Sequence, residues 1–279
     1  SVTGVQTCAL PISMAGHKVD TSILREYDIR GIVGKTLGPD DACAIGRAFG
    51  TLVRRNGGKR FQLGRDGRLS SPMLEAALAE GLMSTGLDVY RIGEGPTPML
   101  YYSVFDRNAD GGIQVTGSHN PPDHNGFKLM LGKKTFFGAD IFALGKQMAD
   151  GDFETGSGAS HDDPIFDSYI ARLAKDFETG GRDLKIACDS GNGAAGPAME
   201  ALSKKLPGKH ILLNVAIDGR FPNHHPDPTE PKNLIQLQDC VAKESNLLGI
   251  AFDGDGDRIG VVDGRGRILW GDQLMRSEE

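Results

Sequence analysis

The sequence has no hydrophobic run approaching the ~20 residues a membrane-spanning helix needs, and no block of like charge. Lys and Arg number 31 against 37 Asp and Glu, and the net charge of −6 is spread along the chain. Aromatic residues are few. Without a basic run or interleaved aromatics, nucleic acid and acidic membranes gain no hold, so any phosphate must be bound by individual basic side chains. Cysteine is scarce too: Cys8, Cys43, Cys188 and Cys240 form no C-x-x-C pair and show no metal-ligand spacing. A disulfide framework and a thiolate metal site are therefore excluded, and the expectation is reduced thiols in a soluble, cytoplasmic protein. Cys188 follows Ile186 and Ala187 in a strand-like run and is expected in a core. What is present is a 39% hydrophobic content over 279 residues, which can fill one large core or two ordinary ones; two domains are expected.

The organising stretch is residues 116–128, TGSHNPPDHNGFK. The apolar run 112–115 leads into it, and Gly117, Asn120, Pro121 and Pro122 stop a strand or helix from continuing. Ser118 is thereby held at the tip of a stiff loop, as suits a nucleophile or a phosphate carrier. Taken alone, S-H-N-P also reads as a Ser/Asn turn capping its own backbone.

A second loop tips that balance. Residues 253–258 read DGDGDR, with carboxylates at i, i+2 and i+4 and glycines that let the backbone curl round a small cation. Hard oxygen ligands suit Mg²⁺ or Ca²⁺. An EF-hand is excluded, because its sixth and twelfth positions hold Arg258 and Gly264 instead of Gly and Glu.

Between these loops, short apolar runs alternate with amphipathic stretches, which predicts α/β architecture with mixed, mainly parallel sheets flanked by helices. Strands are expected at 27–32, 61–63, 89–92, 113–115 and 126–131. The helices expected among them are one capped by Asp40 or Asp41 and running to 55, one capped by Ser70 with Met73, Leu74, Ala77, Leu78 and Leu82 inward, and one at 97–105. Residues 150–163, polar and rich in Gly and Ser, predict a linker. A second unit follows, with helices at 165–177, 196–205 and 234–243 and strands at 185–188, 211–215 and 248–252. Ligands of open α/β sheets lie beyond the strands' carboxyl ends, where Arg30, Arg65 and Ser118 are expected round one crevice. For Arg30 and Arg65, phosphate anchoring stands level with an ordinary surface salt bridge. DSGNGAAG at 189–196 lacks a dinucleotide or Walker pattern and reads as a strand-to-helix turn. Asn223, His224 and His225 sit among prolines and predict turn or interdomain hydrogen bonds, with no metal assigned.

The two loops, together with EYDIRG at 26–31, GRDGR at 64–68 and FPNHHPDP at 221–228, resemble the alpha-D-phosphohexomutase superfamily, in its phosphomannomutase/phosphoglucomutase branch. The resemblance runs from about Leu24 to Met275. It implies an intramolecular phosphotransferase that interconverts hexose 1-phosphate and hexose 6-phosphate, of mannose or glucose. A phosphorylated Ser118 would donate to the free hydroxyl, and glucose 1,6-bisphosphate or mannose 1,6-bisphosphate would be intermediate and activator. Mg²⁺ would be held by Asp253, Asp255 and Asp257 with Ser118. By matching positions, Lys128 and Arg258 are candidates for acid/base and phosphate-stabilising work and His119 for support of the loop. Tyr27, Arg30, Arg65 and Asn120 are candidate substrate or phosphate contacts. Partners would be small sugar phosphates, with no nucleic acid or membrane, and the full-length protein would be a monomer. The runner-up within the superfamily is a phosphoglucosamine mutase. From other classes, a serine hydrolase lacks its G-x-S-x-G elbow, and a non-catalytic metal or sugar-phosphate binding module leaves the serine loop without a purpose.

The ends carry a further expectation. Residues 9–12 can be encoded GCTCTTCCGATC and residues 276–279 AGATCGGAAGAG, whose reverse complement repeats nearly all of the first string. An adapter-like leader is therefore expected at 1–13 and an adapter-like tail at 276–279. Between them the resemblance predicts domain I with the serine loop at 14–155, domain II with the aspartate loop at 156–264, and the start of a third of four domains at 265–275. The expectation is that the chain folds at least its first domain and turns over negligibly by itself.

Overall fold

The protein is described here by a computed structural model covering residues 16–175, 177, 185–243 and 247–274; the adapter-like ends and Met275 lie outside the described residues. The first domain comprises β1 (Ile29–Ile32), α1 (Pro39–Arg55), β2 (Arg60–Arg65), α2 (Ser71–Met83), β3 (Asp88–Glu94), α3 (Thr97–Asp106), β4 (Gly111–Val115), β5 (His124–Leu131), β6 (Lys134–Phe136), α4 (Ala139–Asp150) and β7 (Ser160–Asp162). Its sheet runs β1-β5-β4-β2-β3-β7, with β6 on β5. The strands β4, β2, β3 and β7 are parallel, and β1, β5 and β6 add to one side antiparallel.

Helix α1 starts at Pro39, whose missing N–H costs nothing there. Asp41 accepts the Gly38 N–H at 2.8 Å. Asp40 and Asp41 thus lie in the first turn, after a Gly38 cap, and neither is the cap the sequence suggested. Ile45, Phe49 and Val53, four apart, are buried against the sheet. Phe49 meets Phe61 and Phe136 edge-on at centroid distances of 5.8 and 5.1 Å. Helices α1 and α2 cross in backbone contact: a Cβ on Gly46 would lie 2.4 Å from Leu78 O, and one on Gly81 2.1 Å from Cys43 O. Leu74, Leu78 and Leu82 face inward as expected, whereas Met73 is exposed. Ser70 precedes α2 but makes no capping bond with its side chain; its Oγ accepts from Asn125 Nδ2 at 2.8 Å.

The stretch read as a linker is not a free tether. Gly156 and Gly158 donate to Ser84 O and Met83 O, and Ser160–Asp162 pairs with β3 as the edge strand of the first sheet. Its three residues are all exposed and polar, so backbone pairing, helped by the stacking of His161 on Tyr90 at a centroid distance of 4.8 Å, makes this strand.

The second domain comprises α5 (Phe166–Lys175), β8 (Lys185–Asp189), α6 (Gly196–Ser203), β9 (Lys209–Leu213), α7 (Ile235–Lys243), β10 (Leu247–Phe252), β11 (Ile259–Val262) and β12 (Ile268–Leu269), whose pairing with β11 keeps in this sheet residues expected to begin a third domain; α8 (Gly271–Leu274) follows. Its sheet runs β12-β11-β10-β8-β9, parallel through β10, β8 and β9. Ala187, Leu237, Val241, Ala251 and Val262 form its core. Cys188 is buried as expected, and burial beside Asp189 pushes its thiol up to about 12. A separate apolar cluster joins the domains: Met99 and Leu100 of α3 pack with Ile165, Tyr169, Ile170 and Ala198. This seam brings the ends of β4 and β10 together.

Candidate active site

Strand β4 ends at Val115 and β2 at Arg65, side by side. Just past β2, the buried carboxylate of Asp66 accepts the Thr116 hydroxyl at 2.9 Å and the Gly117 N–H at 3.2 Å. Thr116 Oγ1 in turn accepts the Ser118 N–H at 2.9 Å. Ser118 is held at φ 49°, a left-handed conformation costing a non-glycine residue about 1–2 kcal/mol. Such a conformation persists only where surrounding bonds over-determine it, as they do here.

Strand β10 delivers the other half. Asp253 and Asp255 are wholly buried and Asp257 is partly exposed, with one oxygen of each lying within 4.8 Å of the others. Ser118 Oγ donates to Asp253 Oδ2 at 2.7 Å, while Asp253 Oδ1 accepts the N–H groups of Asp257 and Arg258 at 3.1 Å. Gly254 packs against Ser118, where a Cβ would lie 2.4 Å from the serine carbonyl oxygen. Burial, and then the neighbouring Asp255 and Asp257, push the Asp253 carboxyl above the usual carboxylate range. Burial works in the same direction on Asp255, but Lys128 at 2.6 Å and Thr97 Oγ1 at 2.6 Å hold that carboxyl well below the usual range.

This donor set fits a hard divalent cation. Three carboxylates and a serine oxygen converge, and Asp255 Oδ1 is buried without a hydrogen-bond partner. Lys128 Nζ bridges Asp255 and Asp257 at 2.6 and 2.5 Å. Although burial opposes its charge, those two carboxylates keep the ammonium protonated well above the ordinary lysine range.

A cleft of about 460 Å³ opens beside this cluster, lined by Tyr27, Arg30, Tyr101, Lys128, Asp257 and Arg258 among others. Arg30 pairs with Asp28, and Tyr27 stands exposed at the mouth. Arg258 Nη1 lies 3.0 Å from His119 Nδ1, and Ser118 Oγ lies 3.3 Å from the same nitrogen. Burial, then the Arg258 cation, lower the His119 pKa, so the ring is neutral near pH 7 with Nδ1 as acceptor. A cavity of about 520 Å³ lies among Val53, Asn108, Asp110 and Lys133, before the start of β4, and holds no comparable cluster.

The structure thus gathers Ser118, His119, Lys128, Asp253, Asp255, Asp257, Arg258, Arg30 and Tyr27. Arg65 is not among the cleft residues. Its guanidinium is taken by Glu75 at 3.1 Å and Glu94 at 2.9 Å, the salt-bridge reading of that position. Asn120 serves its own loop, donating to Gly117 O at 3.1 Å. Residues 189–196 form the expected turn, with Gly191 and Asn192 at positive φ. His224 pairs with Asp189 at 2.9 Å, and His225 reaches across the domains to His119 O at 2.5 Å. Sequence reasoning missed Asp66, Arg68, Thr97 and Tyr101. The first two lay inside the quoted GRDGR, where nothing local separates Arg65 from Arg68.

Family profiles described as "Phosphoglucomutase/phosphomannomutase, alpha/beta/alpha domain I" and the corresponding domain II match residues 21–153 and 167–266. A curated Phosphomannomutase/phosphoglucomutase of Pseudomonas aeruginosa is 42% identical over 254 residues, 91% of this chain and 55% of that protein. A Phosphoglucomutase of Neisseria meningitidis serogroup B is 41% identical, again over 91% of this chain and 55% of its own length. The chain therefore spans about half the length of these relatives. A crystal structure of a phosphoglucomutase/phosphomannomutase family protein from Burkholderia thailandensis superposes with a TM-score of 0.87 at 45% identity, covering 91% of this chain and 57% of that one. A Thermus thermophilus structure at 23% identity shares the fold, with a TM-score of 0.82 over 93% of this chain and 60% of that one.

Proposed function

The chain belongs to the phosphoglucomutase/phosphomannomutase family, and from that membership we propose that it carries the phosphoserine and metal-binding halves of a hexose-phosphate mutase. The reaction moves a phosphoryl group between the 1- and 6-hydroxyls of glucose or mannose, through glucose 1,6-bisphosphate or its mannose counterpart. The observation that carries this reading is Ser118 Oγ at 2.7 Å from Asp253 Oδ2, a hydroxyl set against a carboxylate cluster across the domain seam.

Asp253, Asp255 and Asp257 would hold Mg²⁺ together with the serine oxygen, and the ion when bound supplies positive charge to the transferring group. The rest falls to side chains. When Ser118 Oγ takes a phosphoryl group, the O–P bond to the sugar breaks and the Oγ–P bond forms; the proton lost from Oγ is balanced by one taken up at the sugar oxygen, which leaves as a free hydroxyl. The Oγ proton lies on the hydrogen bond from Ser118 Oγ to Asp253 Oδ2 at 2.7 Å, so the Asp253 carboxylate is its nearest acceptor, while His119 Nδ1 already accepts from Arg258 Nη1 and flanks the serine. Lys128, held protonated, is a fixed cation for the equatorial oxygens and a poor base. Arg258 orients His119 and offers its remaining donors to phosphate. A loose phosphoryl-transfer transition state asks for this kind of positioning and charge. Arg30 and Tyr27 line the cleft, which supports them as contacts to the sugar phosphate.

Intact-mass analysis after incubation with glucose 1,6-bisphosphate and Mg²⁺ should show one added phosphate on wild type and none on Ser118→Ala. Equal uptake by the two proteins would sink the assignment.

A further inference from the structure

Arg68 heads the wholly buried side chains by size, and the chemistry above does not use it. Its guanidinium sits inside the ring of the serine loop. Nη1 donates to Pro121 O at 2.6 Å and His124 O at 3.0 Å, and Nη2 donates to Ser118 O and Asn120 O at 2.7 Å each. Nε lies 3.3 Å from Asp66 Oδ2, on the carboxylate that fixes Thr116 and Gly117. The fork can approach because residue 117 is glycine: a Cβ there would lie 2.4 Å from Arg68 Nε. The second domain closes the other side. The Phe221 ring centroid lies 5.2 Å from the guanidinium carbon, and a Cβ on Gly219 would lie 2.8 Å from Arg68 Cα.

A buried cation is tolerated when its charge and donors are met: the four Nη protons of Arg68 are bonded, and Nε, which has no hydrogen bond, lies beside the Asp66 carboxylate. The converse holds for the loop. Four carbonyl oxygens turned inward would repel one another and, unpaired, would cost a desolvation penalty each. A planar fork meets all four, whereas an ammonium carries three donors in a different geometry. With the carbonyls turned inward, the backbone at Ser118 is held left-handed and Oγ points at Asp253.

We propose that Arg68 is the positioning residue of the serine loop: by clamping four of its carbonyls it fixes Ser118 Oγ at the aspartate cluster without touching substrate or metal. This rests on the reading of Ser118 as phosphoryl carrier. A merely electrostatic role would survive replacement by lysine, and a clamp does not.

The test is the rate of Ser118 phosphorylation of the 279-residue chain by glucose 1,6-bisphosphate with Mg²⁺, followed by intact mass for wild type, Ser118→Ala, Arg68→Lys and Arg68→Gln. The saturating rate should fall about 100-fold in both Arg68 variants, the cost of displacing a reacting atom by about 1 Å. The half-saturating bisphosphate concentration should change less than about threefold, because Arg68 meets no substrate. Hydrogen exchange of the Asn120 and His124 amides, which are bonded within the loop, should quicken at least about tenfold in the variants while helix α1 is unchanged. Wild-type rate in Arg68→Lys overturns the clamp alone. No phosphate on wild type overturns the carrier reading and the clamp with it. If neither variant folds, wild-type exchange decides: protected loop amides support the clamp, and amides exchanging like free peptide overturn it.

Discussion

Asp255 differs from its two neighbours in having both a cation and a buried oxygen without a hydrogen bond. Lys128 and Thr97 occupy Oδ2, while Oδ1 is buried and bare. Asp255→Asn keeps the shape and removes the charge, leaving the Lys128 ammonium with Asp257 alone. Mg²⁺ affinity measured by titration calorimetry should fall at least about tenfold, equivalent to about 1.4 kcal/mol; unchanged affinity would place the metal elsewhere. His224 makes a different kind of prediction. The hydrogen bond to Asp189 raises its pKa against the opposing effect of burial, and the bond to His225 O adds to the rise. A raised folded pKa means stability fully present below the ordinary value of about 6.5 and lost as pH climbs through the folded value. Thermal midpoints of wild type should therefore decline from pH 6 upward relative to those of His224→Gln. Parallel pH curves for the two proteins would remove His224 as the source.

The helices carry a comparable claim about packing. Phe49 lies edge-on to Phe61 and Phe136 beneath α1, and its truncation to alanine should destabilise the first domain by about 3–5 kcal/mol in a urea titration. A loss below about 1 kcal/mol would mean the pocket collapses to fill itself. What was legible in the chain follows the same physics. Helix α2 was readable because burial on one face imposes a period on its side chains, and strands β2 and β4 because burial on both faces makes them short apolar runs. Strand β7 was not, since its three exposed polar residues have no period and are held through backbone pairing to β3. The start of α1 was misread because Pro39 already supplies the first helical position, which moves Asp41 inward to bond Gly38. At the site, Ser118 and the three aspartates stood out because loop glycines and prolines mark them. Arg65 and Arg68 could not be told apart: that Arg68 is swallowed by the serine loop depends on contacts fifty or more residues away, and that Arg65 pairs with Glu75 depends on the packing of α2 and β3.

At the scale of the molecule, the site exists only where two domains meet. Ser118 comes from the end of β4 and the aspartates from the end of β10. The register between them is kept by the Met99–Tyr169 cluster, by His225 on His119 O and by Gly254 on Ser118 O. A phosphoryl group on Ser118 would bring negative charge and a further oxygen ligand to a cluster whose other ligands belong to the opposite domain. Metal affinity should then depend on phosphorylation, and by linkage the dependence must be reciprocal: Mg²⁺ should stabilise the phosphorylated chain more than the free one. Titration of Mg²⁺ into phosphorylated and unphosphorylated protein should differ at least about tenfold, or about 1.4 kcal/mol of coupling. The thermal midpoint of the phosphorylated form should likewise rise more steeply with added Mg²⁺. Both effects should vanish in Ser118→Ala treated in the same way. Equal affinity of the two forms, with Asp255→Asn still weakening both, would leave the aspartates as a metal site but detach it from the serine, and with that the route by which charge at one domain's loop is felt by the other.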